Sequence, residues 1–265
     1  MVSACEREWR VETGGKRLGI SIMYDNLLER LKDFEDKNPI ENFQWGELNR
    51  GQLEYFGINP PDGSTYEQNI WLKNNLSKPL QREFEQNDDP LNVSFWIIRG
   101  WGGINTFGVS DRNRQLIRNF VARITQRENI PSGQANLLSS LSKVASFRTP
   151  EEYAIYDSRA IFSLNWMLIR HVDNPKLFIQ PSGRGRATEI DIDTLISISK
   201  ISHNTHSYRE AYYKFCELMK MISKEIYKDE NKPYLAEMLL FKIAEREIQD
   251  DIHRSAKVII TRTVD

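Results

Sequence analysis

Asp157, Ser158 and Arg159 interrupt the apolar run of "PEEYAIYDSRAIF" (150–162), and the apolar pattern then resumes through Leu164 and Trp166. A carboxylate flanked by Tyr153, Ile155, Tyr156 and Phe162 is expected to lose part of its hydration. Dehydration raises a carboxyl pKa and a neighbouring cation lowers it; Lys143 and Arg159 are candidate cations. Two readings are open. In one, Asp157 or Ser158 caps a helix by accepting from backbone N–H groups, and Arg159 forms a surface pair. In the other, the helix N-terminus holds a charged carboxylate against a cleft, where it does chemistry.

The elements that must position these residues read as mostly helical. Residues 20–37 carry apolar side chains at helical spacing (Ile22, Leu27, Leu28, Leu31, Phe34), and Asn38-Pro39 stops the pattern. Gly and Pro mark 40–65 as a loop, and 66–86 is helical again. "LNVSFWIIRGWGGINTFG" (91–108) is an apolar helix broken by glycines. Ser110 caps a basic amphipathic helix over 110–128, and 132–147 makes one or two short helices. Thr149, Pro150 and two glutamates predict a helix start at 149 that runs to 171. "KLFIQPSGRGRATEIDIDTLISI" reads as a short strand, a loop and a helix start, and Pro233 divides two long helices between 207 and 248. The organisation follows as an N-terminal helical and loop region (1–90) packed on a helical catalytic core with C-terminal helices (91–265).

Bulk composition narrows the function classes. The 265 residues are 40% hydrophobic and 28% charged, within the range of an ordinary globular protein. No apolar run reaches the roughly 18 residues of a membrane span, and the N-terminus has no apolar signal core, so a cytoplasmic protein is expected. Two cysteines make no disulfide framework and their neighbours lack metal-ligand spacing, and with only four His a zinc site or other cofactor is unexpected. A net charge of −1 argues against a charge-driven nucleic-acid binder, yet the arginines cluster: Arg112, Arg114, Arg118, Arg123 and Arg127 in one segment, Arg184 and Arg186 in a Gly-rich loop.

"LSSLSKVASF…YAIYDSRAIFSL" resembles the signature of helix-hairpin-helix (HhH-GPD) DNA glycosylases. Tyr156-Asp157-Ser158-Arg159-Ala160 matches the segment that supplies the family's catalytic aspartate, and Lys143 falls where bifunctional members carry a Schiff-base lysine. Ser140 and Ser142 stand where the hairpin glycines are expected, and Arg159 where the family has His. A fainter similarity connects the chain to anti-phage glycosylases that act on glucosylated hydroxymethylcytosine. The resemblance implies a two-lobed, mainly α fold with a cleft and few strands. It implies a monomer that acts on double-stranded DNA with a flipped base.

Such an enzyme needs a carboxylate for the oxocarbenium ion, aromatic walls for the base and cations for the phosphates. Asp157 and Lys143 are then the catalytic pair. Trp101, Asn105, Tyr156, Ser158 and Arg159 are candidates for substrate contact, with Trp96 and Phe107 as further wall residues. Gly100, Gly102 and Gly103 admit a close approach of backbone to ligand. Arg114 and Arg118, at i, i+4, and Arg184 and Arg186 are candidates for phosphate contact. Two alternatives stand beside this. A metal-dependent nuclease would use Glu189, Asp191 and Asp193, which alternate onto one face if "RATEIDID" is a strand. A non-catalytic nucleic-acid-binding defence protein would use Asp157 only as a cap.

Overall fold

Side-chain caps fix several helix starts. Ser64 and Glu67 form a reciprocal capping box at one helix, and the Ser110 hydroxyl accepts from the Asn113 backbone N–H at another. The computed structural model describes residues 15–86, 89–181, 192–199 and 203–256. In chain order the first helices are α1 (Gly15–Lys37), α2 (Arg50–Tyr55), α3 (Thr65–Asn75), α4 (Ser77–Glu85), α5 (Asn92–Trp96) and α6 (Asp111–Thr125). There follow α7 (Ser132–Ala135), α8 (Leu138–Arg148), α9 (Ser158–His171), α10 (Ile192–Ser199), α11 (Ala211–Tyr227), α12 (Pro233–Ile243) and α13 (Gln249–Ser255). β1 (Lys176–Leu177) and β2 (Asn204–Thr205) pair in parallel. The protein is thus mainly α with few short strands.

One continuous apolar core joins these helices. It takes Leu27 and Leu31 from α1, Leu72 from α3, Leu80 from α4, Val144 from α8 and Ile161 from α9. α12 packs against both α11 and α9, which explains its apolar sequence: Tyr234, Leu235, Met238, Leu239 and Leu240 are all buried. Two segments wind as π-helix, Ile97–Trp101 after α5 and Ala244–Ile248 after α12. Such wide turns frequently occur at functional sites, and both lie at the cleft described below.

The helix expected from Thr149 begins later. Residues 153–157 are non-helical, and α9 starts at Ser158 with Asp157 as its cap. Tertiary contacts override the local start signals here. Tyr153 Oη donates to the Ile124 carbonyl, Tyr156 Oη to the Ile179 carbonyl, and Tyr156 N–H to Ser142 Oγ. Tyr212 Oη donates to the Ala154 carbonyl. These bonds draw the segment through the core as an extended strap, so the apolar run and the polar triplet belong to different elements. The helical stretch expected over 66–86 is present as two helices, α3 and α4.

Candidate active site

α3, α8, the N-terminus of α9, α12 and the 43–47 segment surround a cleft of about 580 Å³, within the size range of small-molecule sites. Asp157 and Lys143 meet in it. As N-cap of α9, Asp157 accepts from the Arg159 backbone N–H at 2.9 Å through Oδ1. Its Oδ2 lies 3.7 Å from Lys143 Nζ. The cap and the cleft-facing carboxylate, alternatives in sequence, are one side chain with two oxygens in different roles. The partial positive charge of the α9 N-terminus lies beside this side chain. Lys143 reaches the cleft from α8 with its side chain only 6% exposed, and its ammonium also donates to the Ser139 carbonyl at 2.9 Å.

Two further charged residues in the cleft were not anticipated from sequence. Lys73, on α3, is buried and donates to Ser146 Oγ at 2.6 Å; its ammonium lies 4.1 Å from the Phe147 ring centre. Burial, opposed by Glu237 and assisted by Lys143, pushes its pKa down to about 7. Glu237, on α12, is 4% exposed. Among the described residues no hydrogen bond or direct ion pair reaches its carboxyl. Burial first, then the charge of Asp157, push its pKa up to about 8, against the pull of Lys73 and Lys143. A sequence signal existed for both: a lone Lys between buried Leu72 and Leu76, and a lone Glu inside "YLAEMLLF".

Aromatic side chains line the same space. Trp101 holds its ring by donating from Nε1 to Asn69 Oδ1 at 2.8 Å and packs edge-on against Phe147. Trp45 and Phe241 stack with ring centres 5.9 Å apart, and the Arg159 guanidinium sits 4.4 Å over Phe241 while pairing with Glu245. Ser158 also lines the cleft, and its carbonyl accepts from Gln180 Nε2.

The close approach allowed by Gly102 is made by Lys143. A Cβ at Gly102 would lie 2.6 Å from Lys143 Cε and 2.7 Å from the Ile98 carbonyl oxygen. Gly102→Ala is therefore expected to displace Lys143 from Asp157 and to cost about 1–3 kcal/mol of stability, as overpacking does. Urea denaturation measures the cost. An unchanged midpoint would show that the Lys143 stem has slack. Gly103 has φ of +68° in open space, so conformation and not room requires glycine there.

Other candidates fall elsewhere. Tyr156 is buried at 1% exposure, with its hydroxyl bonded to the Ile179 carbonyl, and does not line the cleft. Asn105 lies in a separate depression beside Tyr55, Trp96 and Arg99. Trp96 and Phe107 belong to the core, and Ser140 and Ser142 lie inside α8, not in a hairpin turn. Arg118 donates to the carbonyls of Glu83, Gln86 and Asp89, closing the C-terminal end of α4. Arg114 pairs with Asp111 at 2.6 Å. Both sites thus have structural partners that the i, i+4 spacing did not reveal. Arg184, Arg186, Glu189 and Asp191 lie outside the described residues, while Asp193 sits in the first turn of α10, a helix rather than the strand that the alternation required. Among the described residues no group of three or more His, Cys, Asp and Glu side chains is placed to hold a metal ion.

The cleft therefore combines a helix-capping carboxylate, an ammonium beside it, a second buried Lys and carboxyl, and stacked aromatic rings. No family model, curated protein or solved structure matches this chain.

Proposed function

We propose that the chain is a DNA glycosylase that releases a flipped, modified base and leaves an abasic site, with glucosylated hydroxymethylcytosine of phage DNA as the leading candidate. The observation that carries the reading is the approach of Lys143 Nζ to Asp157 Oδ2, 3.7 Å, in a cleft with aromatic walls. Breaking the N-glycosidic bond builds positive charge on the sugar. The Asp157 carboxylate, at the α9 N-terminus beside Lys143, stabilises this cation or takes a proton from the attacking water. Trp45, Trp101 and Phe241 offer faces on which an extruded base can stack. Arg159, at the rim and anchored by Glu245, is positioned to meet a phosphate or sugar oxygen.

The test incubates the purified protein in EDTA with ordinary genomic DNA and with phage DNA carrying hydroxymethylated or glucosylated cytosines. Abasic sites are then counted with an aldehyde-reactive probe. Sites on the modified DNA alone are expected. Sites on neither DNA from a folded protein would overturn the reading.

A further inference from the structure

Among the carboxyl groups that line the cleft, Asp157 and Glu237 stand in opposite environments. Asp157 sits at a helix N-terminus beside an ammonium. Glu237 sits on the middle of α12, nine-tenths buried and more, with its oxygens held by no hydrogen bond among the described residues. A buried polar side chain ordinarily has a partner. Lys73 acts on it only through its charge: its ammonium donates to Ser146 Oγ, and no ion pair joins the two side chains among the described residues. Phe241, one helical turn along α12 from Glu237, stacks on Trp45 at the same cleft. Glu237 and Phe241, i, i+4 neighbours on one helix, therefore set a carboxyl beside the aromatic wall of the cleft.

We infer that Glu237 is the proton donor to the departing base, and that the base is of the amino-substituted type whose edge carries an unprotonated ring nitrogen beside an exocyclic amine. This rests on the glycosylase reading and assigns its leaving-group chemistry. Such a base, cytosine or adenine and their substituted forms, has no acidic ring N–H and leaves poorly as an anion. The neutral carboxyl of Glu237 offers one O–H donor and one acceptor side by side. The O–H faces the ring nitrogen and the second oxygen accepts from the amine.

As the C1′–N bond breaks, its electron pair passes to the base, and the Glu237 proton passes to the base ring nitrogen, so the base departs neutral. Water adds its oxygen to C1′ and gives one proton to Asp157. That proton later restores Glu237, and the net change is hydrolysis. The Glu237 carboxylate formed in the middle of the step is stabilised by the amino groups of Lys73 from α3 and Lys143 from α8. Desolvation and the neighbouring Asp157 charge keep the acid form available at neutral pH. Opposed environments of this kind separate an acid from a base at one site.

The experiment uses duplexes containing a single cytosine, glucosylated hydroxymethylcytosine, adenine or uracil, with wild type, Glu237→Gln, Glu237→Asp and Asp157→Asn. On the amino-base duplex that the wild type cleaves, Glu237→Gln is expected to lower kcat by about 10²–10⁴-fold with little change in KM. The same substitution is expected to remove the fall in kcat that ionisation of Glu237 would give the wild type above about pH 8. The acid-bearing Glu237→Asp should recover part of the rate and keep the alkaline fall. The charged groups that act on Glu237 are Lys73, Lys143 and Asp157. A Glu237→Gln enzyme of wild-type kcat and pH profile would overturn the inference and leave the glycosylase reading intact. So would a wild type that prefers uracil. Inactivity of the wild type on every duplex would instead remove the glycosylase reading on which the inference stands.

Discussion

Asp157→Asn is expected to abolish base release while leaving the protein folded. Asn caps helices about as well as Asp, so the bond from the Arg159 N–H survives. What disappears is the negative charge that faces Lys143 at 3.7 Å and, in the proposed reaction, the sugar cation. The rate of abasic-site formation should fall by about 10²–10⁴-fold, the range for a catalytic acid or base. Asp157→Ala removes the cap as well, at about 1 kcal/mol, which in a protein of this size lowers Tm by roughly 2–4 °C. Calorimetry and the abasic-site assay on the two variants separate the roles. An Asn variant that keeps full activity would reduce Asp157 to a cap; an Asn variant as unstable as the Ala variant would show that the charge itself supports the fold.

Replacing Lys73 and Glu237 together, by Met and Leu, is expected to stabilise the protein and to flatten its stability against pH. Burial disfavours the charged form of each. Glu237 goes from an ordinary 4.5 to about 8, so the folded protein holds its proton over that interval while the unfolded chain loses it; stability falls as pH rises through it. Lys73 goes from 10.5 down to about 7, so between those values the unfolded chain holds the extra proton, and stability climbs as pH rises. The two effects place a trough in stability near pH 7–8. Removing both groups leaves no lone buried charge, and apolar replacement of buried ionisable pairs raises stability by roughly 1–4 kcal/mol. Urea midpoints measured from pH 5 to 10 test this. A double variant less stable than the wild type at pH 7.5 would show that the pair attracts more than it costs to bury. Loss of activity in the same variant would fit a site held at the expense of stability.

The mainly α architecture was legible because helical periodicity and Ser caps are local properties: Ser110 capped α6 as its position indicated. Asp157 was legible as an anomaly because a carboxylate inside an apolar run is costly wherever it lies. Asp157, Lys143, Trp101, Ser158 and Arg159 do share one cleft. The fate of 149–157 was not legible. Thr149-Pro150 carries a genuine start signal, and four hydrogen bonds from tyrosines to distant residues outweigh it. Those same bonds take Tyr156 away from the cleft.

Sequence by itself determined which stretches coil into helices, which faces turn inward, and that Asp157 needed an explanation, since all three follow from side-chain type and near-neighbour spacing. Only the tertiary structure decided which charges share a low-dielectric space. Lys73, Lys143, Asp157 and Glu237 come from four separate elements spread across the chain. Whether Glu237 finds a partner, and whether Arg118 meets a phosphate or the end of α4, depends on what lies a few ångströms away in space. Coulomb and desolvation energies are set by that distance and that burial, and neither is written in the spacing of residues along a chain.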